Sequence, residues 1–463
     1  PQLHERGSNG DYFTQVQVKD IIAYADARGI RVVPEFDIPG HATAWFVGHP
    51  ELASAPGPYS IEKKFGVFEP AMNPASEVTY KFLAQFIDEM CALFPDAYFH
   101  IGGDENEGKA WDKNPEVQQL KKDKNLADNH AVQAYFNQRL LEMLTENGKR
   151  MVGWDEILQP QMPKDIVIQS WRGKEALIKA ANEGYDVMLS NGYYIDLCQS
   201  AAFHYSHDPL PADAKLDPKA QAHVLGGEAT MWAELVTPET IDSRIWPRTC
   251  AIAERLWSPT EVRDEADMYR RLPLVSARLE EVGATHLRNP DMLMRRALGL
   301  QDINALKTLC GVIAPLQGYK RHGQGFSFST DSPFTRLADM AVPDPEQARA
   351  IKASIQAHVQ KPDALQALVL RNWFRSYIDN HKMLESQAEN APAIKSILPM
   401  SQQLADLSIV ANSLLDMMDK GEADGTRREQ YRLTIEKVRA PVQECELQIV
   451  DAVMALWKKV YEK

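Results

Sequence analysis

Cysteine is scarce in this 463-residue chain: Cys91, Cys198, Cys250, Cys310 and Cys445 are far apart, odd in number and without a Cys-x-x-Cys spacing. Such a set suits neither a disulfide framework nor a thiolate zinc site, and reads as small buried apolar residues. Basic charge is short as well. Lys and Arg total 51 against 64 Asp and Glu, a net charge of −13 with no dense basic run, which disfavours nucleic acid and anionic membrane surfaces as partners. No apolar run reaches the length of a membrane span. No Gly-x-Gly-x-x-Gly fingerprint or phosphate loop supports a nucleotide site. The chain also opens on Pro1 without an initiator Met or a signal-like segment, so the gene product is expected to start elsewhere and to carry its targeting information there.

What is present centres on Ala97-Tyr98-Phe99-His100-Ile101-Gly102-Gly103-Asp104-Glu105-Asn106-Glu107. A short buried strand runs into two glycines and then into adjacent carboxylates. Neighbouring side chains of a straight strand point to opposite faces, so Asp104 and Glu105 can converge only where the glycines end the strand. The plain alternative is a solvated acidic loop. Against it stands repetition: five other apolar strands end in the same style, at Ile30–Phe36, Arg150–Trp154, Asp165–Trp171, Asp186–Ser190 and His223–Glu234. Helices are expected between them, over 15–29, 75–93, 130–147 and 174–183, from apolar residues spaced three and four apart.

Short apolar strands alternating with helices predict a parallel sheet covered by helices, and six units with polar or aromatic tips fit a (β/α)8 TIM barrel better than a doubly wound sheet. The first two strands are expected upstream of residue 1, because the chain opens in a loop before a helix. Beyond residue 300 helical periodicity takes over. The expected division is a catalytic barrel over 1–300, an extended linking segment over 301–346 and a helical bundle over 347–463, with helices at 347–359, 363–389, 396–419 and 427–461. The stripes Leu404, Leu407, Ala411, Leu414, Met418 and Val442, Cys445, Ile449, Ala452, Leu456 read as internal core of that bundle.

The strand tips carry two chemical types: the carboxylates Asp37, Asp104, Glu105, Asp196 and Glu234, and the aromatics Trp154, Trp171, Trp232 and Tyr194. Each tryptophan alone suits a core, but three at successive tips suit a sugar. A pyranose stacks its apolar face on indole, its hydroxyls need acceptors, and glycosidic cleavage needs a proton donor. Asp37, His41 and His100 could be read as metal ligands, yet they lack the tighter His/Cys pattern of zinc sites. A His held by a carboxylate close to Glu105, tuning or shuttling its proton, is the preferred reading. No metal and no cofactor is expected.

His100-Ile101-Gly102-Gly103-Asp104-Glu105 resembles the His-x-Gly-Gly-Asp-Glu signature of the family 20 glycoside hydrolases, the β-N-acetylhexosaminidases. The likeness extends through Pro34-Glu35-Phe36-Asp37-Ile38-Pro39-Gly40-His41, Gly153-Trp154-Asp155-Glu156, Gly227-Glu228-Ala229-Thr230-Met231-Trp232-Ala233-Glu234 and Glu254-Arg255-Leu256-Trp257-Ser258. The resemblance implies a retaining mechanism in which the substrate's 2-acetamido oxygen is the nucleophile, an exception to the usual two-carboxylate scheme. It further implies Glu105 as general acid and base, Asp104 as orienter of the acetamido N–H, and Tyr194 as donor to the acetamido oxygen. Trp154 and Trp171 would wall the acetyl methyl and Trp232 would lie under the ring. Asp196 and Glu234 would accept from outer hydroxyls, and Asp37 with His41 would support Glu105.

Two features depart from the family pattern. The arginine and the acidic residue that the family takes from its first two strands have no counterpart here, and the region where a further tryptophan often closes the acetyl pocket offers Phe203, His204 and Tyr205. The resemblance implies an exo-acting enzyme on oligosaccharides, chitin fragments or glycoconjugates ending in N-acetylglucosamine or N-acetylgalactosamine, of the bacterial type and therefore periplasmic or secreted. A non-catalytic sugar-binding barrel fragment and a disaccharide-releasing lacto-N-biosidase are the rival readings. Oligomeric state is left open by the sequence.

Overall fold

The computed structural model describes residues 2–211, 213–299 and 301–462, and the chain divides into two compact units, 1–193 with 207–228 and 194–206 with 229–463.

The first unit is built on a parallel sheet of β1 (Tyr98–His100), β2 (Arg150–Trp154), β3 (Val167–Ser170), β4 (Asp186–Leu189) and β5 (Val224–Gly227). The strands follow one another in sequence order, the arrangement of a (β/α) barrel rather than of a doubly wound sheet, whose order reverses. Tyr98 pairs with Arg150, Val152 with Val167, Val167 with Asp186 and Val187 with Val224. All strand tips therefore lie along one edge, and β2 and β3 are buried almost throughout. Helices cover the sheet as expected. Asn129–Glu146 buries Val132, Phe136, Leu140 and Leu144 on one stripe, and Glu77–Leu93 buries Tyr80, Leu83 and Ile87.

Two expectations need correction here. Ile30–Phe36 is not a regular strand: a single parallel bridge joins Glu35 to His100, supported by Phe36 N–H to His100 O and His100 N–H to Pro34 O. Pro34 has no N–H to donate and the segment is bonded through β1 only, so no regular ladder develops, and Ile30 and Val33 remain exposed. The sheet thus has five strands and one bridged segment, not six strands. The helix Gln15–Asp26 forms with a full capping box from Thr14 and Gln17, yet of its apolar residues only Ala25 is buried.

The second unit holds one large core, in which Leu306, Ile351, Phe374, Leu404, Leu414 and Leu456 are fully buried. Helices Glu346–Gln360, Ala364–Ala388 and Leu398–Lys420 match the expected bundle, with Asp363 capping the second through Gln366 N–H at 2.8 Å. The expected helix 427–461 is instead Arg428–Lys437, β7 (Cys445–Leu447) and Val450–Tyr461. β7 pairs antiparallel with β6 (Ile313–Pro315), so Cys445 is buried through a strand and not through a helical stripe. Pro441 and the left-handed Gln443 and Glu444 break the helix that periodicity alone suggested.

Candidate functional site

The tip of β1 gathers four of the candidate residues. Gly102 and Gly103 adopt left-handed backbone, φ +67° and +96°, and a Cβ on Gly102 would overlap the Asp37 carboxylate. Gly103 N–H donates to Asp37 Oδ1 at 3.0 Å, and Gly102 N–H to His100 Nδ1 at 3.0 Å. The chain then places Asp104 and Glu105 side by side. His41 Nε2 lies 3.2 Å from Glu105 Oε2 and 3.7 Å from Asp104 Oδ2, so one imidazole touches both carboxylates. Glu105 and His41 themselves have φ +51° and +48°, a conformation that costs a non-glycine residue about 1–3 kcal/mol and persists only where surrounding structure imposes it.

Burial governs the charges of this group. It holds Asp37 protonated well above the usual carboxylate range, aided by the neighbouring Asp104 charge. Asp104 is raised as well by burial, with Asp37's hydrogen bond and His41 acting in the opposite direction, so the proton between the two resides on Asp37 and the charge on Asp104. Asp104 Oδ1 is buried and accepts no hydrogen bond among the described residues.

Around this cluster stand two tryptophans, each held by a carboxylate. Trp154 is buried at the end of β2, its Nε1 donating to Glu35 Oε1 at 2.9 Å, and its ring meets His100 edge-on at 5.1 Å. Trp171 follows β3 and donates through Nε1 to Glu156 Oε2 at 3.1 Å. Arg172 closes that arrangement, 2.6 Å from Glu156 Oε1 and with its guanidinium 4.6 Å from the Trp171 ring centroid, while Asp155 accepts from both backbone N–H groups at 2.9 and 2.8 Å. Burial pushes the Glu35 carboxyl up to about 7, and pushes His100 down to about 3, so His100 is a neutral structural group. It is not the third metal ligand considered above. Among the described residues the group whose ligand atoms could share one ion is Asp37, His41 and Asp104, with those atoms within 4.8 Å of one another.

The remaining candidates lie in the second unit. Tyr194 and Trp232 meet edge-on at 6.4 Å, on segments joined by a bridge between Tyr194 and Thr230 and by Ile195 N–H to Thr230 O at 2.9 Å. Asp196 and Glu234 face a common pocket with Trp232. Burial and the Glu234 charge push Asp196 up to about 7, and its Oδ1 accepts no hydrogen bond among the described residues. Of the trio noted as standing where a further tryptophan is often found, His204 and Tyr205 are buried, the tyrosine donating to Glu254 at 2.8 Å, and Phe203 is partly exposed.

With this geometry in hand, comparison with known proteins is decisive. The sequence model of the glycosyl hydrolase family 20 catalytic domain matches residues 1–260. The chain belongs to glycosyl hydrolase family 20. A β-hexosaminidase of Porphyromonas gingivalis is 36% identical over 313 residues, 62% of this chain and 40% of that protein. The chitobiase of Flavobacterium johnsoniae, solved by X-ray crystallography, is 41% identical with a TM-score of 0.94 over 99% of this chain and 70% of that one. The family 20 exo-β-N-acetylglucosaminidase of Vibrio harveyi, solved with N-acetylglucosamine, is 30% identical with a TM-score of 0.53, covering 60% and 46% of the two chains. The chain therefore spans well under two thirds of the length of the Porphyromonas relative it matches. Family 20 catalytic domains are TIM barrels, which accounts for the sequential parallel sheet.

Sequence reasoning passed over Glu35, Glu156 and Arg172 as site residues. Their signal was available: an indole N–H at a buried strand tip needs an acceptor, and acidic residues flank both tips in sequence.

Proposed function

We propose that this family 20 member is an exo-acting β-N-acetylhexosaminidase that removes terminal β-linked N-acetylglucosamine or N-acetylgalactosamine with retention, through an oxazolinium intermediate. The observation that carries the reading is the shared contact of His41 with adjacent Asp104 and Glu105 on one strand tip. A double-displacement glycosidase needs its two carboxyl groups on opposite sides of the scissile bond, about 5–5.5 Å apart, which neighbours on one strand do not provide. A substrate that brings its own nucleophile removes that need.

In this reading Glu105 protonates the leaving oxygen and later deprotonates water, with His41 steadying it at 3.2 Å. Asp104, its buried Oδ1 open to a donor, accepts the acetamido N–H and balances the positive charge that grows on the oxazoline nitrogen. Protonated Asp37 holds Asp104 in place. Tyr194 aims the acetamido oxygen at the anomeric carbon, Trp154 and Trp171 enclose the acetyl methyl, Trp232 stacks under the ring, and Asp196 with Glu234 accept from the outer hydroxyls. The names of the similar proteins, a β-hexosaminidase, a chitobiase and an exo-β-N-acetylglucosaminidase, support this substrate class.

The test is hydrolysis of an aryl β-N-acetylglucosaminide beside the matching β-glucoside, which lacks the acetamido group. Cleavage of the first alone is expected. Equal cleavage of both removes the substrate-assisted mechanism, cleavage of neither favours a sugar-binding role, and release of a disaccharide only favours a lacto-N-biosidase.

A further inference from the structure

The pocket that Asp196, Trp232 and Glu234 face is not lined by residues of the family motifs alone. Its other side is made by Leu316, Tyr319 and His322, from the stretch that leaves β6. The sequence pattern of this stretch suggested no more than a linking segment, but its geometry is that of a fixed turn. β6 pairs with β7, Leu316 N–H donates to Glu444 O at 2.9 Å, and a single 3-10 turn spans Gly318–Arg321. Gly318, at φ +63°, starts it in the left-handed backbone that glycine tolerates best. Arg321 pins the turn from below: its side chain is 2% exposed, with Nη2 2.6 Å from Asp339 and Nε 2.5 Å from Glu444. A guanidinium anchored by two buried carboxylates leaves the turn little freedom, so the residues flanking it are presented in one orientation.

Those flanking residues are chemically suited to a sugar. Tyr319 is 59% exposed and meets the His322 ring edge-on at 5.7 Å. Burial lowers the His322 pKa, the Glu234 charge raising it and Arg321 lowering it in turn, so a neutral imidazole with one donor and one acceptor faces the pocket at neutral pH. Asp196 offers an acceptor atom with no hydrogen bond among the described residues. Carboxylates alone can only accept, and a hydroxyl that donates to one of them still carries lone pairs that call for a donor.

We infer that the turn Gly318–His322 forms the outer wall of the sugar pocket, with His322 contacting one of the hydroxyls that Asp196 and Glu234 accept from and Tyr319 bounding the space beside it. This rests on the reading of the site as an N-acetylhexosamine site and deepens it. Hydroxyl recognition is shared between the family motifs and a segment beyond the region matched by the family model, which ends at residue 260.

The experiment compares three aryl β-N-acetylglucosaminides, the parent and its 4-deoxy and 6-deoxy analogues, on the wild type, His322→Ala and Tyr319→Ala. For His322→Ala, kcat/KM on the parent is expected to fall about tenfold, mainly through KM, and by less than about twofold on the one analogue that lacks the contacted hydroxyl. A purely structural role would lower all three substrates alike. That uniform loss, or no loss on any substrate, overturns the inference. Tyr319 is exposed enough to be truncated without touching the core, so Tyr319→Ala guards against misfolding of the first variant. It is expected to raise KM for the parent about threefold to tenfold, and unchanged KM counts against the wall. An inactive wild type removes the reading of the preceding subsection and this one with it, whereas an active wild type with uniform variant losses removes this one alone.

Discussion

Glu105 and His41 show how the local chemistry is set. Both sit in left-handed backbone although neither is glycine, and together they bring an imidazole nitrogen to 3.2 Å from a carboxylate that carries no other assigned partner in the cluster than this histidine. If Glu105 is the acid, Glu105→Gln keeps the shape and removes the proton. Turnover is expected to fall by about 10²–10⁴-fold with N-acetylglucosamine affinity changed only a few-fold, read by steady-state kinetics and calorimetric titration. Turnover close to wild type would move the acid role to another residue. The buried carboxyls set a second expectation. Glu35 and Asp196 titrate near 7 in the fold, against ordinary values of 4.5 and 3.8. A folded pKa raised above the unfolded one means the folded state holds more protons, so their contribution to stability is complete below about pH 4 and is lost as pH rises through 7. Glu254, lowered by its hydrogen bonds from Arg271, acts the other way and matters only as pH falls through its own depressed range. Thermal melts between pH 5 and 8 should therefore show Tm declining, and Glu35→Gln should flatten that decline while its amide oxygen still accepts from Trp154. A slope identical to wild type would contradict the assignment. At this scale sequence identified the acids and tryptophans, because residue type and strand-tip position were enough. It missed Glu35, Glu156 and Arg172, whose role exists only once an indole N–H has been buried beside them.

At the scale of elements, the β1 tip depends on glycine in a way that a substitution can expose. Gly102→Ala adds a Cβ where the Asp37 carboxylate lies and forces a residue with a side chain to hold φ +67°. A stability loss of about 1–3 kcal/mol is expected, with a fall in kcat larger than tenfold because Asp37, Asp104 and Glu105 shift together. Denaturant melts and kinetics on one preparation measure both, and a variant that is destabilised but fully active would separate the tip from the chemistry. In the second unit, Arg321 lies between Asp339 and Glu444, and Arg336 also pairs with Glu444. Arg321→Met leaves buried carboxylates short of a partner and is expected to cost about 3–5 kcal/mol in denaturant unfolding, far more than an exposed pair such as Arg432 with Glu429. Helix periodicity was legible for Asn129–Glu146, Ala364–Ala388 and Leu398–Lys420, where each stripe packs onto one core. It failed over 427–461, where Val442 and Cys445 kept the spacing of a helix while Pro441 and two left-handed residues turned the chain into β7.

On the scale of the whole molecule, the first unit leaves an apolar face uncovered. Tyr12, Phe13, Val16, Tyr24, Ile30 and Val33 are all exposed, Phe13 at 70%. A patch of that kind on a polypeptide of these 463 residues favours association. Light scattering is expected to show concentration-dependent self-association that Phe13→Ser with Tyr24→Ser reduces without loss of stability, and a concentration-independent monomer would contradict it. The fold class and the family were determined by sequence alone, since alternating short apolar strands and helices, glycine-led tips and the order of the motifs are all local or sequential properties. What tertiary structure alone decided was where protons and polar partners go. Burial places a proton on Asp37 and leaves His100 neutral, and β6–β7 pairing with the Arg321 ion pairs fixes a turn from residue 318 beside Asp196 and Glu234. Burial and long-range contact depend on residues hundreds of positions apart, and no window along the chain contains both partners.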